Sequence, residues 1–133
     1  MYGAIRQDFF QLHEVTAAYG VSRHHLAKVV HKLAQLGYLE TRRGRGGGIR
    51  LAMRPEDIRI GALVRRSEDQ PGLVECFDPK TNTCRIDGSC RLKGALAEAM
   101  NALYSSLDRY SLLDLVSGPH RSRMSKILFA TKS

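Results

Sequence analysis

The chain has 133 residues, 43% of them hydrophobic, and a formal net charge of +8. That suffices for one domain, or a small domain with an oligomerisation element, and excludes a chain disordered throughout. No run approaches the ~18 apolar residues of a membrane span, so no membrane partner is expected, and the opening "MYGAIRQDFF" lacks an apolar signal core, so the cytoplasm is the expected location.

The charge is unevenly placed. Between residues 22 and 54 stand eight basic residues (Arg23, Lys28, Lys32, Arg42, Arg43, Arg45, Arg50, Arg54) against one acid, Glu40. Clustered positive charge is the electrostatic footprint of a polyanion partner.

In chain order, "QLHEVTAAYGVSRHHLAKVVHKLAQLGYLE" shows a 3.6-residue apolar period broken once. Leu12, Val15 and Tyr19 share one face; Gly20 permits the left-handed turn that ends a helix, and Ser22 can cap the next. Leu26, Val29, Val30, Leu33 and Leu36 continue as a second stripe until Gly37. Two short helices joined by a tight glycine turn predict a helix-turn-helix. The other face of the second helix carries Ser22, Arg23, His24, His25, Lys28, His31 and Lys32, donors suited to reading a major groove; a helical hairpin with a solvated basic face would show the same pattern.

"YLETRRGRGGGIRLA" reads as strand, turn, strand, with arms Tyr38–Arg42 and Ile49–Ala52. Its tip, Arg43 to Gly48, alternates charge with glycine, and Arg42, Arg43, Arg45, Gly46 and Gly47 are candidate contacts of a wing with the minor groove or phosphates. The glycines do not match the dinucleotide-binding G-x-G-x-x-G, and no parallel-sheet unit surrounds them. Beyond Pro55, residues Ile58, Ile60, Leu63 and Val64 predict a short helix packing the wing onto the core.

From Arg91 a long helix is expected. Leu92, Leu96, Ala99, Leu103, Ser106 and Tyr110 follow a 3–4 spacing with Leu107 beside them, and the short chain leaves little to cover that stripe. A helix from a second copy is the natural cover, which predicts a homodimer. Gly118-Pro119 then breaks the structure. The expected fold is mainly α with a small β wing. Its parts are a winged helix-turn-helix over 1–66, a cysteine-rich loop over 67–90, a dimerisation helix over 91–117 and a flexible basic tail over 118–133.

The three cysteines, Cys76, Cys84 and Cys90, lie in that loop in the pattern C-x7-C-x5-C. An odd count in a reducing compartment argues against structural disulfides and for metal or redox chemistry. Structural zinc draws close C-x2-4-C pairs, which are absent. Iron–sulfur clusters take thiolates, usually four, so three leave one iron to another ligand. Three small packed hydrophobes would be the bland alternative, but the loop around them is polar. A cysteine nucleophile served by His24, His25 or His31 finds no acidic residue nearby in sequence to orient the base, so no enzyme is expected.

The stretch "EVTAAYGVSRHHLAKVVHKLAQLGYLETRRGRGGGIRLA", the following "IRIGALVRRSE", and the run from "VECF" through "CRLKGALAEAMNALYSSLDRYSLLDLV" resemble the iron–sulfur winged-helix repressors, in particular their nitric-oxide-sensing branch. The resemblance covers about residues 11 to 117. It implies a bacterial, nucleoid-associated homodimer on a palindromic double-stranded DNA operator. It also implies one iron–sulfur cluster per chain, 4Fe-4S or 2Fe-2S, on Cys76, Cys84 and Cys90, with nitric oxide as the signal that releases DNA. The cluster-assembly branch has a histidine three residues after its last cysteine; Lys93 stands there in this chain. The family pattern also starts earlier, with a helix against the dimer, so the N-terminal helix reads as truncated at Met1. Sensing of zinc, thiol redox state or iron–sulfur status is the alternative reading.

Overall fold

The computed structural model describes residues 1–68 and 73–130. Among these residues seven helices and a two-stranded sheet follow one another as α1 (Tyr2–Arg6), α2 (Leu12–Tyr19), α3 (Arg23–Gln35), β1 (Leu39–Arg42), β2 (Gly48–Leu51), α4 (Ile60–Ser67), α5 (Arg91–Leu107), α6 (Leu112–Leu115) and α7 (Gly118–Leu128). Short 3-10 turns sit at Pro55–Asp57, Glu75–Phe77 and Asp87–Ser89. No helix among the described residues is long and apolar enough to cross a membrane.

The chain forms two compact units, one of Met1–Ile58 with the segment from Ser111 onward, the other of Arg59–Tyr110. In the first unit α2 ends at Gly20 with φ 66°, the left-handed geometry that glycine adopts without a Cβ penalty. The Ser22 hydroxyl accepts the His25 backbone N–H at 3.4 Å and starts α3. β1 and β2 pair antiparallel with Glu40 opposite Arg50 and Arg42 opposite Gly48. Phe10 exchanges both backbone hydrogen bonds with Ile49, at 2.9 and 2.8 Å, and so adds a third short arm to the wing.

The core of this unit differs from the expected stripes. Its buried centre is Tyr2, Phe10 and Ile49, with Leu12, Val15, Ala18, Val30, Leu39, Leu128 and Phe129 packed around it. Val29 and Tyr19 are 38% and 44% exposed. A stripe wider than the surface available to cover it leaves its flanks in water.

Residues 118–128 form a helix where the sequence reading expected a flexible tail. Pro119 stands in the first turn, where a fixed φ suits the helix and a missing N–H costs nothing. Phe129 then seats its ring 5.0 Å from that of Tyr2. α6 belongs to the same unit: the Leu112 N–H donates to the Ile58 carbonyl at 2.8 Å, and Val116 is completely buried. The dimerisation helix expected over 91–117 therefore stops at Leu107.

In the second unit α4 packs on α5. Arg65 donates two 2.7 Å hydrogen bonds to Asp108 and lies 4.7 Å over the Tyr104 ring.

Candidate nucleic-acid interface and thiol segment

The first unit carries the expected basic surface. Arg23, His24, His25 and Lys28 are exposed along α3 with Ser22 at its start, and Lys32 is half-buried. The wing tip exposes Arg43, Arg45 and Gly46, while Arg42 sits exposed at its root. Gly47, expected at the tip's contact surface, is buried instead. Its carbonyl accepts the Gln11 side-chain amide at 2.8 Å, and an added Cβ would lie 2.3 Å from the Arg42 carbonyl oxygen. Gly47 lets the turn close on itself, a packing need that the letters of a glycine run do not separate from ligand approach.

Two residues absent from the expected interface complete its wing root. Strand alternation puts Glu40, Arg42 and Arg50 on the outer face of the sheet. The Phe9 ring lies beneath both guanidiniums, 5.0 Å from Arg42 and 4.7 Å from Arg50. Glu40 binds Arg50 at 2.8 Å and lies 3.8 Å from Arg42. The period-two alternation of "GIRL" contained the signal for Arg50; Phe9 had none, because its place depends on the Phe10–Ile49 bridge.

The thiols belong to the second unit. Cys76, Cys84 and Cys90 are free and half-buried. Cys76 sits in the Glu75–Phe77 turn, Cys84 follows an Asn82 turn whose side chain accepts its N–H at 3.0 Å, and Cys90 caps α5. The Thr83 hydroxyl donates to Glu75 at 3.3 Å, tying the neighbour of Cys84 to that of Cys76. Lys93 on α5 pairs with Asp87. That hydrogen bond raises the Lys93 pKa above its ordinary value against a desolvation penalty; the charges of Asp87, Cys76 and Cys84 add to the rise. Lys93 therefore lies within electrostatic reach of two of the three thiols.

Among the described residues no three His, Cys, Asp or Glu side chains gather as a metal centre. The donor chemistry, three unpaired thiols on one polar segment, nevertheless fits a soft metal or a cluster of iron and sulfide. On α5 the stripe splits. Leu96 and Leu107 are half-buried, while Leu92, Ala99 and Leu103 stay exposed, Leu92 at 64% and Leu103 at 49%; Tyr110, expected in the same stripe, is exposed but lies beyond the end of the helix at Leu107.

A winged helix-turn-helix with these features defines a class of DNA-binding regulator. The family model of Rrf2, described as an iron-dependent transcriptional regulator, matches residues 2–118, and the chain belongs to the Rrf2 family. It is 52% identical over 109 residues to the HTH-type transcriptional regulator NsrR of Bacillus subtilis (strain 168), covering 82% of this chain and 75% of that protein. The NsrR of Geobacillus kaustophilus (strain HTA426) is 52% identical over 103 residues, 77% of this chain and 70% of that one. The fold resembles CymR (YrzC), the global cysteine regulator of B. subtilis, with a TM-score of 0.65 at 23% identity over 86% of this chain and 84% of that one. T. potens IscR gives 0.64 at 20% identity over 86% and 79%. The protein is a transcriptional regulator and not an enzyme.

Proposed function

We propose that this protein is a cytoplasmic repressor that binds a palindromic double-stranded DNA operator as a homodimer, holds one iron–sulfur cluster per chain on Cys76, Cys84 and Cys90, and releases DNA in response to nitric oxide. The observation that carries the reading is the presence of three free, half-buried thiols on one segment of an Rrf2-family chain. The high identity to NsrR proteins and the resemblance of the cysteine run to the nitric-oxide-sensing branch support the signal.

The chain's own residues do the following in this reading. Ser22, Arg23, His24, His25, Lys28 and Lys32 of α3 enter the major groove, and Arg42, Arg43, Arg45 and Gly46 of the wing take phosphates or the minor groove. Leu92, Leu96, Ala99, Leu103, Leu107 and Tyr110 form a seam with a second copy and set the distance between two recognition helices. The three thiols are the soft donors, and the Lys93 ammonium stands near Cys76 and Cys84. When bound, the cluster supplies an iron with one weaker ligand, open to a small diatomic molecule. The thiol segment and the DNA surface lie in units joined by chain crossings after Ile58 and before Ser111. A rearrangement of 76–90 then acts on DNA through those crossings and the seam. Half-sites about one helical turn apart tolerate little change in spacing.

Purification without oxygen, with iron and sulfide quantified and the absorption spectrum taken before and after nitric oxide, tests the reading. Iron, sulfide and visible absorbance bleached by nitric oxide are expected. A thiol-redox regulator is the alternative reading, which the three free cysteines would also serve. Colourless protein with no sulfide, whose DNA affinity follows a thiol oxidant, would establish that instead.

A further inference from the structure

The outer face of the wing root is built rather than merely basic. Glu40, Arg42 and Arg50 share it by strand register, and Phe9 lies beneath both guanidiniums at 5.0 and 4.7 Å. The Phe9 backbone is held in place: its N–H donates to Asp8 at 2.7 Å, and the next residue, Phe10, is buried and bridged twice to Ile49. The negative face of the ring and the Glu40 carboxylate hold two long side chains that would otherwise sample many rotamers. Glu40 cancels one of the two positive charges, leaving the group at +1. Both arginine side chains remain well exposed, 59% for Arg42 and 45% for Arg50.

Arg50 gives its Nε and Nη2 to Glu40 Oε2 at 2.9 and 2.8 Å, so the Arg42 guanidinium and the remaining edge of Arg50 are the held donors, and with one net positive charge they match a single phosphodiester oxyanion. We infer that Phe9, Arg42 and Arg50 form a phosphate clamp for duplex DNA at the root of the wing, with Phe9 as the positioning residue and Glu40 as the brace. The inference rests on the DNA-binding reading above and adds Arg50 and Phe9 to it.

The test is fluorescence anisotropy on a labelled mixed-sequence duplex, titrated over a range of salt. It uses the full chain and the variants Phe9→Leu, Phe9→Trp and Arg42→Gln/Arg50→Gln, with the triple variant. Phe9→Leu keeps apolar volume but removes the aromatic face, and affinity should fall about three- to tenfold. Phe9→Trp should stay within about twofold of the parent. The double arginine variant should lower the slope of log affinity against log salt by about 1 to 2. Adding Phe9→Leu to that variant should cost nothing more, because the ring then has no cation to hold. Additive losses, or an unchanged slope in the arginine double variant, would overturn the clamp while leaving DNA binding intact. Should Phe9→Leu melt early, the arginine slope and the tryptophan variant still decide. A parent protein that binds no duplex at any salt would overturn both the clamp and the reading beneath it.

Discussion

Gly47 has no room for a side chain, since a Cβ would approach the Arg42 carbonyl oxygen at 2.3 Å and that of Arg43 at 3.1 Å. Gly47→Ala should therefore destabilise the first unit by about 1–3 kcal/mol through forced backbone movement. A denaturant midpoint indistinguishable from the parent would show that the turn relaxes freely. The cysteines call for the opposite expectation. None belongs to the buried centres, so Cys76→Ser, Cys84→Ser and Cys90→Ser should each keep the helical circular-dichroism signal. On the proposed function each should lose iron and visible colour on purification without oxygen. Full iron content in Cys76→Ser would remove that residue from the donor set.

At the scale of elements, the α4–α5 pair depends on one close approach. A Cβ at Gly61 would lie 2.0 Å from the Asp108 carboxylate and 2.9 Å from its backbone nitrogen. Gly61→Ala should push Asp108 off Arg65 and cost about 1–3 kcal/mol. The Arg65 hydrogen bonds hold the Asp108 carboxyl below its ordinary value of 3.8, partly opposed by desolvation. A carboxyl depressed in the folded state contributes stability above its unfolded pKa and loses it as pH falls through the folded value. Acid titration of the melting temperature should therefore be shallower below about pH 4 in Asp108→Asn than in the parent. Parallel curves would show that solvent already screens this exposed pair.

For the whole molecule, the proposed dimer and the basic charge each carry a prediction. Leu103 is half-exposed on α5, on the same face as Leu92 and Ala99. Leu103→Asp should yield a monomer in sedimentation and abolish cooperative operator binding, because a charge buried unpaired in the proposed seam costs on the order of several kcal/mol. A variant that stays dimeric would place the interface elsewhere. Eight basic residues against one acid over 22–54 predict steep salt dependence. If a dimer neutralises about 6–10 phosphates, affinity should drop by about 10³–10⁵ between 50 and 200 mM salt. A flat titration would remove the basic surface from the interface.

Local physics sufficed for the helix-turn-helix and the wing. The Gly20 turn, the Ser22 cap, the basic face of α3 and the hairpin depend on residues within a few positions of one another, so the chain's letters contain them. Clustered thiols and basic charge were equally legible, as was the 3–4 stripe on α5. What tertiary structure alone decided were contacts between distant segments. The Phe10–Ile49 bridge places Phe9 under two arginines, and Leu128 and Phe129 help cover a core begun by Tyr2, making a helix of the expected tail. Asp108 reaches Arg65 across 43 residues, and the stripe on α5 is divided between half-buried and exposed positions. Periodicity reports that a face is apolar but not which surface meets it, because burial depends on partners whose distance along the chain carries no local signal.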